Sequence, residues 1–354
     1  MTHEPIKGAD KDGGVPPGFL YGEVRPIVLD ACVLRDDILH SCRRGRTVLI
    51  NAANEGFLRL FVARHVLEEV DRHSNRWAAD GGVSHEAFLE RWRSEYLPLL
   101  HLVSLPRDAE ELLTPAEMSR ISRLKAEDAD DVPSAVLSLL LGGLYLSVNG
   151  HALRAVYGVD VDTDKHRQWL GALVAAADSG ELKLMAQSSL VPVALVAAGL
   201  DAGVRRLLRA PAPVVLGAGA AVVLLLVCGA SALTKEGVKS VIATAAETFG
   251  EAATMYAESS AHFEAFVAPR PSWSEMAEAR NQNAVLTRAC ANALARARVG
   301  DHSAVEAGNL IHPLPVAHGP AKVRQVLRSQ ACFEEVYRGR WRVGVSAEEA
   351  SPRQ

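Results

Sequence analysis

Short apolar runs alternate with longer stretches of helical spacing between residues 25 and about 158. In "RPIVLDACVL" (25–34), Pro26 to Leu29 predict a buried strand, and Asp30 then sets a carboxylate at its end. "DDILHSCRRG" predicts a helix closing at Gly45, while "TVLINAANE" fits strand or helix. "GFLRLFVARHVLEEVDRHSNRW" predicts an amphipathic helix, and "SHEAFLERWRSEYLPLL" another with Ser84 as N-cap. "HLVSLP" fits a strand, and "TPAEMSRISRLKAED" a helix with Thr114 at its cap and Pro115 at its first turn. "DVPSAVLSLLLGG" predicts a helix closed by glycines and "LYLSV" a short buried strand. Strands alternating with helices imply an α/β fold, a mostly parallel sheet covered on both faces. Sites in such sheets form beyond the carboxyl ends of the strands, and Asp30 falls at such an end.

From 161 to 268 the pattern turns Ala-, Val- and Leu-rich and helical, an apolar all-α region. Residues 212–233 form a charge-free run of the length that spans a bilayer, and 188–233 could make a membrane hairpin. A two-pass hairpin would leave Arg205, Arg206 and Arg209 outside, against the positive-inside tendency. A single span keeps those arginines inside but exports the C-terminal part, a buried helical hairpin is the soluble alternative, and these readings stay open. From 272 to 345 charge returns, in helices followed by "CFEEVYRGRWRVGV", which predicts a hairpin turning at Arg338-Gly339. Residues 1–23 and 346–354 are polar and read as flexible tails, with no apolar stretch typical of a secretory signal in the first.

The formal charge of −4 over 354 residues gives no global signature of nucleic-acid binding, so any such surface is local. Five scattered cysteines without a CxxC pair read as reduced intracellular thiols, neither a zinc site nor a disulfide framework.

Acidic residues change the picture more. Leu58, Val62, Val66 and Val70 recur every four residues, and Glu69 projects close to the middle of that stripe, whereas Glu68 lies off it. Glu127, Asp128, Asp130 and Asp131 crowd the start of the helix at 132. Capping and the helix dipole account for one or two of these acids. Four within five residues repel one another and suit a divalent cation. One acid at a strand end, one in an apolar stripe and one heading a core helix together suggest a metal site.

The order "PIVLDACVL", "VARHVLEEV", "DADDVPSAVLSLLLGGLYLSVNGHAL" resembles the PIN domain of metal-dependent nucleases over residues 24–160. The resemblance implies catalytic acids at Asp30, Glu69 and Asp131, with Asp128 auxiliary and Asn149 as a further metal position. Ser147 stands at the family's usual Thr or Ser, and Asn149 where many members carry Asp. The implied cofactor is Mg²⁺ or Mn²⁺, and the implied reaction is hydrolysis of RNA by a metal-activated water. Arg43, Arg44 and Arg46 are candidate phosphate contacts, with a solvated helix C-terminus as the alternative. The segment from 272 to 345 is similar to the last helix and wing of winged-helix domains, which would make Arg338, Arg340 and Arg342 nucleic-acid contacts. Family members serve as toxins held by an antitoxin, or in RNA processing and defence. The expected setting is cytoplasmic, with association at the inner membrane face and a homo-oligomer both left open. The rival class is a scaffold that has lost catalysis and acts as a nucleic-acid-binding or regulatory protein.

Overall fold

A computed structural model describes residues 24–161 apart from 55, 57 and 107, then 273–297, 302, 303, 308 and 314–350. The apolar segment at 188–233 lies outside the described residues, as do both tails apart from residues 346–350. Among the described residues no helix is long and apolar enough to cross a membrane.

β1 (Arg25–Leu29) is an inner strand of the main sheet, with Ile27, Val28 and Leu29 fully buried. It pairs in parallel with β2 (Leu58–Ala63) on one side and β4 (Leu144–Leu146) on the other, and β2 pairs in parallel with β3 (Leu100–Val103). Between them run α1 (Ala31–Arg44), α2 (Val48–Asn54), α3 (Arg64–Asp80), α4 (His85–Arg91), α5 (Pro115–Glu127) and α6 (Val132–Leu141), with α7 (Gly150–Tyr157) after β4. The mostly parallel sheet flanked by helices therefore matches the alternation of the sequence.

Local chemistry accounts for the element ends. Thr114 and Glu117 form a reciprocal capping box ahead of α5, with Pro115 at its first position. Ser84 accepts the N–H of Ala87 at the start of α4, and Gly45, at φ 88°, closes α1. α6 stops at Gly142 in the left-handed conformation.

The expected helix beginning at Gly56 is corrected in its first part. Leu58 to Ala63 are strand β2, and the helix starts at Arg64. β2 sits between β1 and β3 and is buried at every position but Arg59, so its run "LRLFVA" is apolar around that one residue rather than alternating. Such a run has no period that separates strand from helix. The ambiguous "TVLINAANE" is helix α2, with Thr47 Oγ1 accepting the N–H of Ile50.

The C-terminal elements share the core of this sheet. They are α8 (Trp273–Ala279), α9 (Gln282–Arg296), β5 (His302–Ser303), α10 (Pro320–Ser329), β6 (Phe333–Tyr337), β7 (Arg340–Val343), β8 (Val345–Ser346) and α11 (Ala347–Ala350). Val285, Leu286, Cys290, Val323, Leu327, Trp341 and Val343 are buried in one apolar cluster with Val28, Phe61, Leu137 and Tyr145. β5, β7 and β6 make a small antiparallel sheet, and β6 and β7 form the expected hairpin around Arg338-Gly339. After Gly344 the chain crosses over, and β8 adds to the main sheet antiparallel to β3, giving the order β4-β1-β2-β3-β8.

Arginines tie α9 to the rest. Arg288 is fully buried and grips both carboxylate oxygens of Glu117, at 2.6 and 2.8 Å, while donating to the carbonyls of Leu112 and Leu139. Arg59 on β2 donates to the carbonyls of Leu294, Ala295 and Ala297 at the end of α9. Arg296 answers by donating to the carbonyl of Gly142 at the end of α6. The carbonyls they grip lie at or near helix ends, where internal partners run out.

Candidate acidic site

Four elements deliver acids to the carboxyl edge of the sheet. Asp30 follows the last residue of β1 and is only 5% exposed. Its Oδ1 accepts the N–H of Ala31 at 2.7 Å, so it does cap α1. Its Oδ2 meanwhile takes the Ser147 hydroxyl at 2.6 Å and the Cys32 thiol at 3.2 Å. A turn residue needs only the first of these. Ser147, buried just beyond β4, reaches Asp30 because β4 and β1 are paired in register, Leu146 opposite Leu29.

Asp131 heads α6 and yet makes no capping hydrogen bond, so helix capping does not explain its carboxylate. Burial, then the charges of Asp30 and Asp128, push its carboxyl up to about 7, and Glu69 adds to the push. Glu69 lies half-buried on α3, between Val66 and Val70 of the core face. Its carboxyl is also raised, by burial first and by Asp30 next, with His73 and Arg72 pulling the other way. Asp131 thus senses the charge of Asp30, Asp128 and Glu69, and Glu69 that of Asp30. Cys32 beside them is pushed up to about 12 by burial and by Asp30, which leaves it a neutral thiol at ordinary pH.

Asn149 occupies the remaining corner, as N-cap of α7. Its carbonyl oxygen accepts the N–H of His151 at 2.9 Å. Its amide nitrogen donates to Asp128 at 2.9 Å and Asp131 at 2.6 Å. The amide, not the carbonyl, therefore faces the acids.

Two residues that sequence reasoning passed over belong here. Tyr145 on β4 is fully buried, and its hydroxyl comes close to Ser147, within the field of Asp30 and Asp131, without a hydrogen bond of good geometry. His65, near the start of α3, shares a hydrogen bond between Nε2 and Ser134 at 3.3 Å, while its buried Nδ1 lacks a protein partner. Burial lowers the His65 pKa against the pull of Asp30 and Asp130. Neither carried a sequence signal, because a Tyr in a core strand and a His beside an apolar run both suit ordinary packing.

The candidate arginines lie elsewhere. Arg43 and Arg44 end the helix that Asp30 begins, about 20 Å along its axis from the acids. Arg43 donates to the carbonyl of Gly81, and Arg46 lies 3.8 Å from Glu95. On the hairpin, Arg342 is paired with Glu334 and Glu349, and Arg340 lies over the Tyr337 ring at 5.3 Å. Arg338 is at the exposed turn.

The donor chemistry suits a hard divalent cation: carboxylate oxygens, and mutual repulsion that positive charge would relieve. Among the described residues, however, no three His, Cys, Asp or Glu side chains are gathered closely enough to constitute a finished metal centre. Accepting an ion at Asp30, Glu69 and Asp131 therefore requires side-chain adjustment. No protein-family model matches the chain, and no curated protein or solved structure matches it.

Proposed function

We propose that this chain is a divalent-metal-dependent endoribonuclease of the PIN type. The observation that carries the reading is the convergence at the carboxyl edge of β1, where Asp131 is raised to about 7 by its burial and its acidic neighbours. Carboxylates brought together from four separate elements, with Asp131 and Glu69 destabilised by burial and by their acidic neighbours, are a costly arrangement for a protein that binds nothing there. Asp30, Glu69 and Asp131, with Asp128 beside them, would hold Mg²⁺ or Mn²⁺. Such an ion supplies a water of lowered pKa and neutralises phosphate charge. Ser147 orients Asp30, and the helix capping of Asp30 holds its carboxylate at the strand end. No side-chain nucleophile is needed, in keeping with the neutral Cys32 thiol.

Incubation of the purified chain with labelled RNA and Mn²⁺, alongside Asp30→Asn, tests this reading. Cutting that requires the metal and disappears in the variant is expected. Metal-independent cutting, or equal cutting by the variant, refutes it.

One observation favours the second reading, a nucleic-acid-binding scaffold with weak or no catalysis: the neutral Asn149 amide turned toward Asp128 and Asp131. Calorimetric titration with Mn²⁺ separates the two. Affinity that depends on Asp30 and Asp131 supports the nuclease, and its absence supports the scaffold.

A further inference from the structure

Asn149 is bonded at both ends of its carboxamide, and this dictates its orientation. The backbone N–H of His151 needs an acceptor, which only Oδ1 supplies. That leaves both amide hydrogens on the side of Asp128 and Asp131, one directed to an oxygen of each. Flipping the amide would orphan the His151 N–H and set an oxygen against two carboxylates. Asp131 is free to accept because it does not cap its own helix, and Asp128 because it ends α5 as C-cap.

We propose that Asn149 is a positioning residue whose amide stands in for a cation, holding Asp128 and Asp131 together so that this half of the acid site is formed without metal. The two carboxylates come from the end of α5 and the start of α6. Asn149 is anchored to α7. The amide is therefore a three-way tie between the helices that frame the site. The 2.6 Å contact to Asp131 lies at the short end of the range for an amide donor. An aspartate at 149 would retain the cap but bring a third negative charge into the same space, so the tie would then need a cation. The inference concerns the acid site assigned above to catalysis but does not require that RNA be cut.

Thermal unfolding of the full chain, without RNA, tests it. In EDTA, Asn149→Asp should melt at least roughly 5 °C below the wild type. Millimolar Mn²⁺ should reverse most of that loss, because an ion bound to the folded state adds stability by mass action. The wild type should show a smaller gain from Mn²⁺. The exchange Asn149→Asp with Asp131→Asn restores the amide–carboxylate contact between 149 and 131 but leaves Asp128 without its amide donor, so it should recover roughly half of the melting-temperature loss in EDTA.

An unchanged Asn149→Asp melt in EDTA overturns the proposal. So does a loss that Mn²⁺ leaves in place, or an exchange variant as unstable as the single one. If Asn149→Asp alone does not fold, the exchange variant decides: folding in EDTA supports the tie, and failure refutes it. These melts contain no substrate, so a failed RNA assay and a failed tie are separate results.

Discussion

Replacing Arg288 with Met provides the sharpest test of how the C-terminal elements are held. The guanidinium is fully buried and bonds both oxygens of Glu117, whose side chain is 6% exposed, together with the carbonyls of Leu112 and Leu139. Methionine fills much of the same volume but leaves the Glu117 carboxylate with the Thr114 N–H as its remaining donor. Removing one partner of a buried pair costs about 3–5 kcal/mol. Glu117→Gln is milder, about 1.5–3 kcal/mol, because Gln preserves the capping box and Arg288 retains two carbonyls and an amide oxygen. The double variant leaves no buried charge, so it should cost at least about 2 kcal/mol less than the sum of the singles. Urea unfolding at neutral pH reads this from midpoints at constant slope.

The pH dependence supplies a second signature of the same pair. Burial alone would raise the Glu117 carboxyl, but the hydrogen bonds and charge of Arg288, with those of Thr114, hold it below its ordinary value. A carboxyl depressed by folding contributes stability above its unfolded pKa and loses it as acid protonates it in the folded state. The wild type should therefore weaken on acidification below about pH 4. In Arg288→Met only Thr114 still opposes burial, so the pKa rises, and the penalty should shrink as the pH falls. Additive single variants, or an Arg288→Met cost under about 1 kcal/mol, would refute the reasoning.

Three other outcomes can be measured. Gly344→Ala should destabilise by about 1–3 kcal/mol in denaturant, since Gly344 has φ 72° and a Cβ there would lie 2.7 Å from the carbonyl of Leu102. Tyr145→Phe removes a buried hydroxyl that has no protein partner, so its midpoint should be unchanged or higher by up to about 1 kcal/mol; a clear loss would mean that the hydroxyl is bonded. Asp131 has its pKa raised on folding, so in EDTA stability should fall as pH rises from about 4 to about 7, and Asp131→Asn should flatten that slope.

Much of the site could be read from residue order because its parts are local. A carboxylate directly after an apolar strand, a Thr-Pro-x-Glu start and a run of acids before a core helix are each set by near neighbours. Asp30 at the edge of β1, the Thr114 cap and Asp131 at the head of α6 all follow from them. Glu69 was found by a stripe that ran through Leu58 and Val62, which belong to a strand. The half of the stripe that held, Val66 and Val70, was enough to turn it inward.

Long-range pairing decided the rest. β2 is a strand because β1 and β3 pair with its two edges, and nothing within "LRLFVA" distinguishes that from a buried helix. β8 joins the main sheet because Gly344 lets the chain pass close to Leu102, some 240 residues earlier in sequence. The buried charge of Arg288 finds Glu117 only when α9 packs on α5 and α6, and in sequence it reads as an ordinary helix cation. The same holds at the acids. Sequence placed Asn149 among them as an uncharged position, but only the capping of His151 on one side and the two carboxylates on the other determined which end of its amide they meet. Local sequence chose the functional groups, and burial and hydrogen-bond satisfaction across distant segments chose what each one faces.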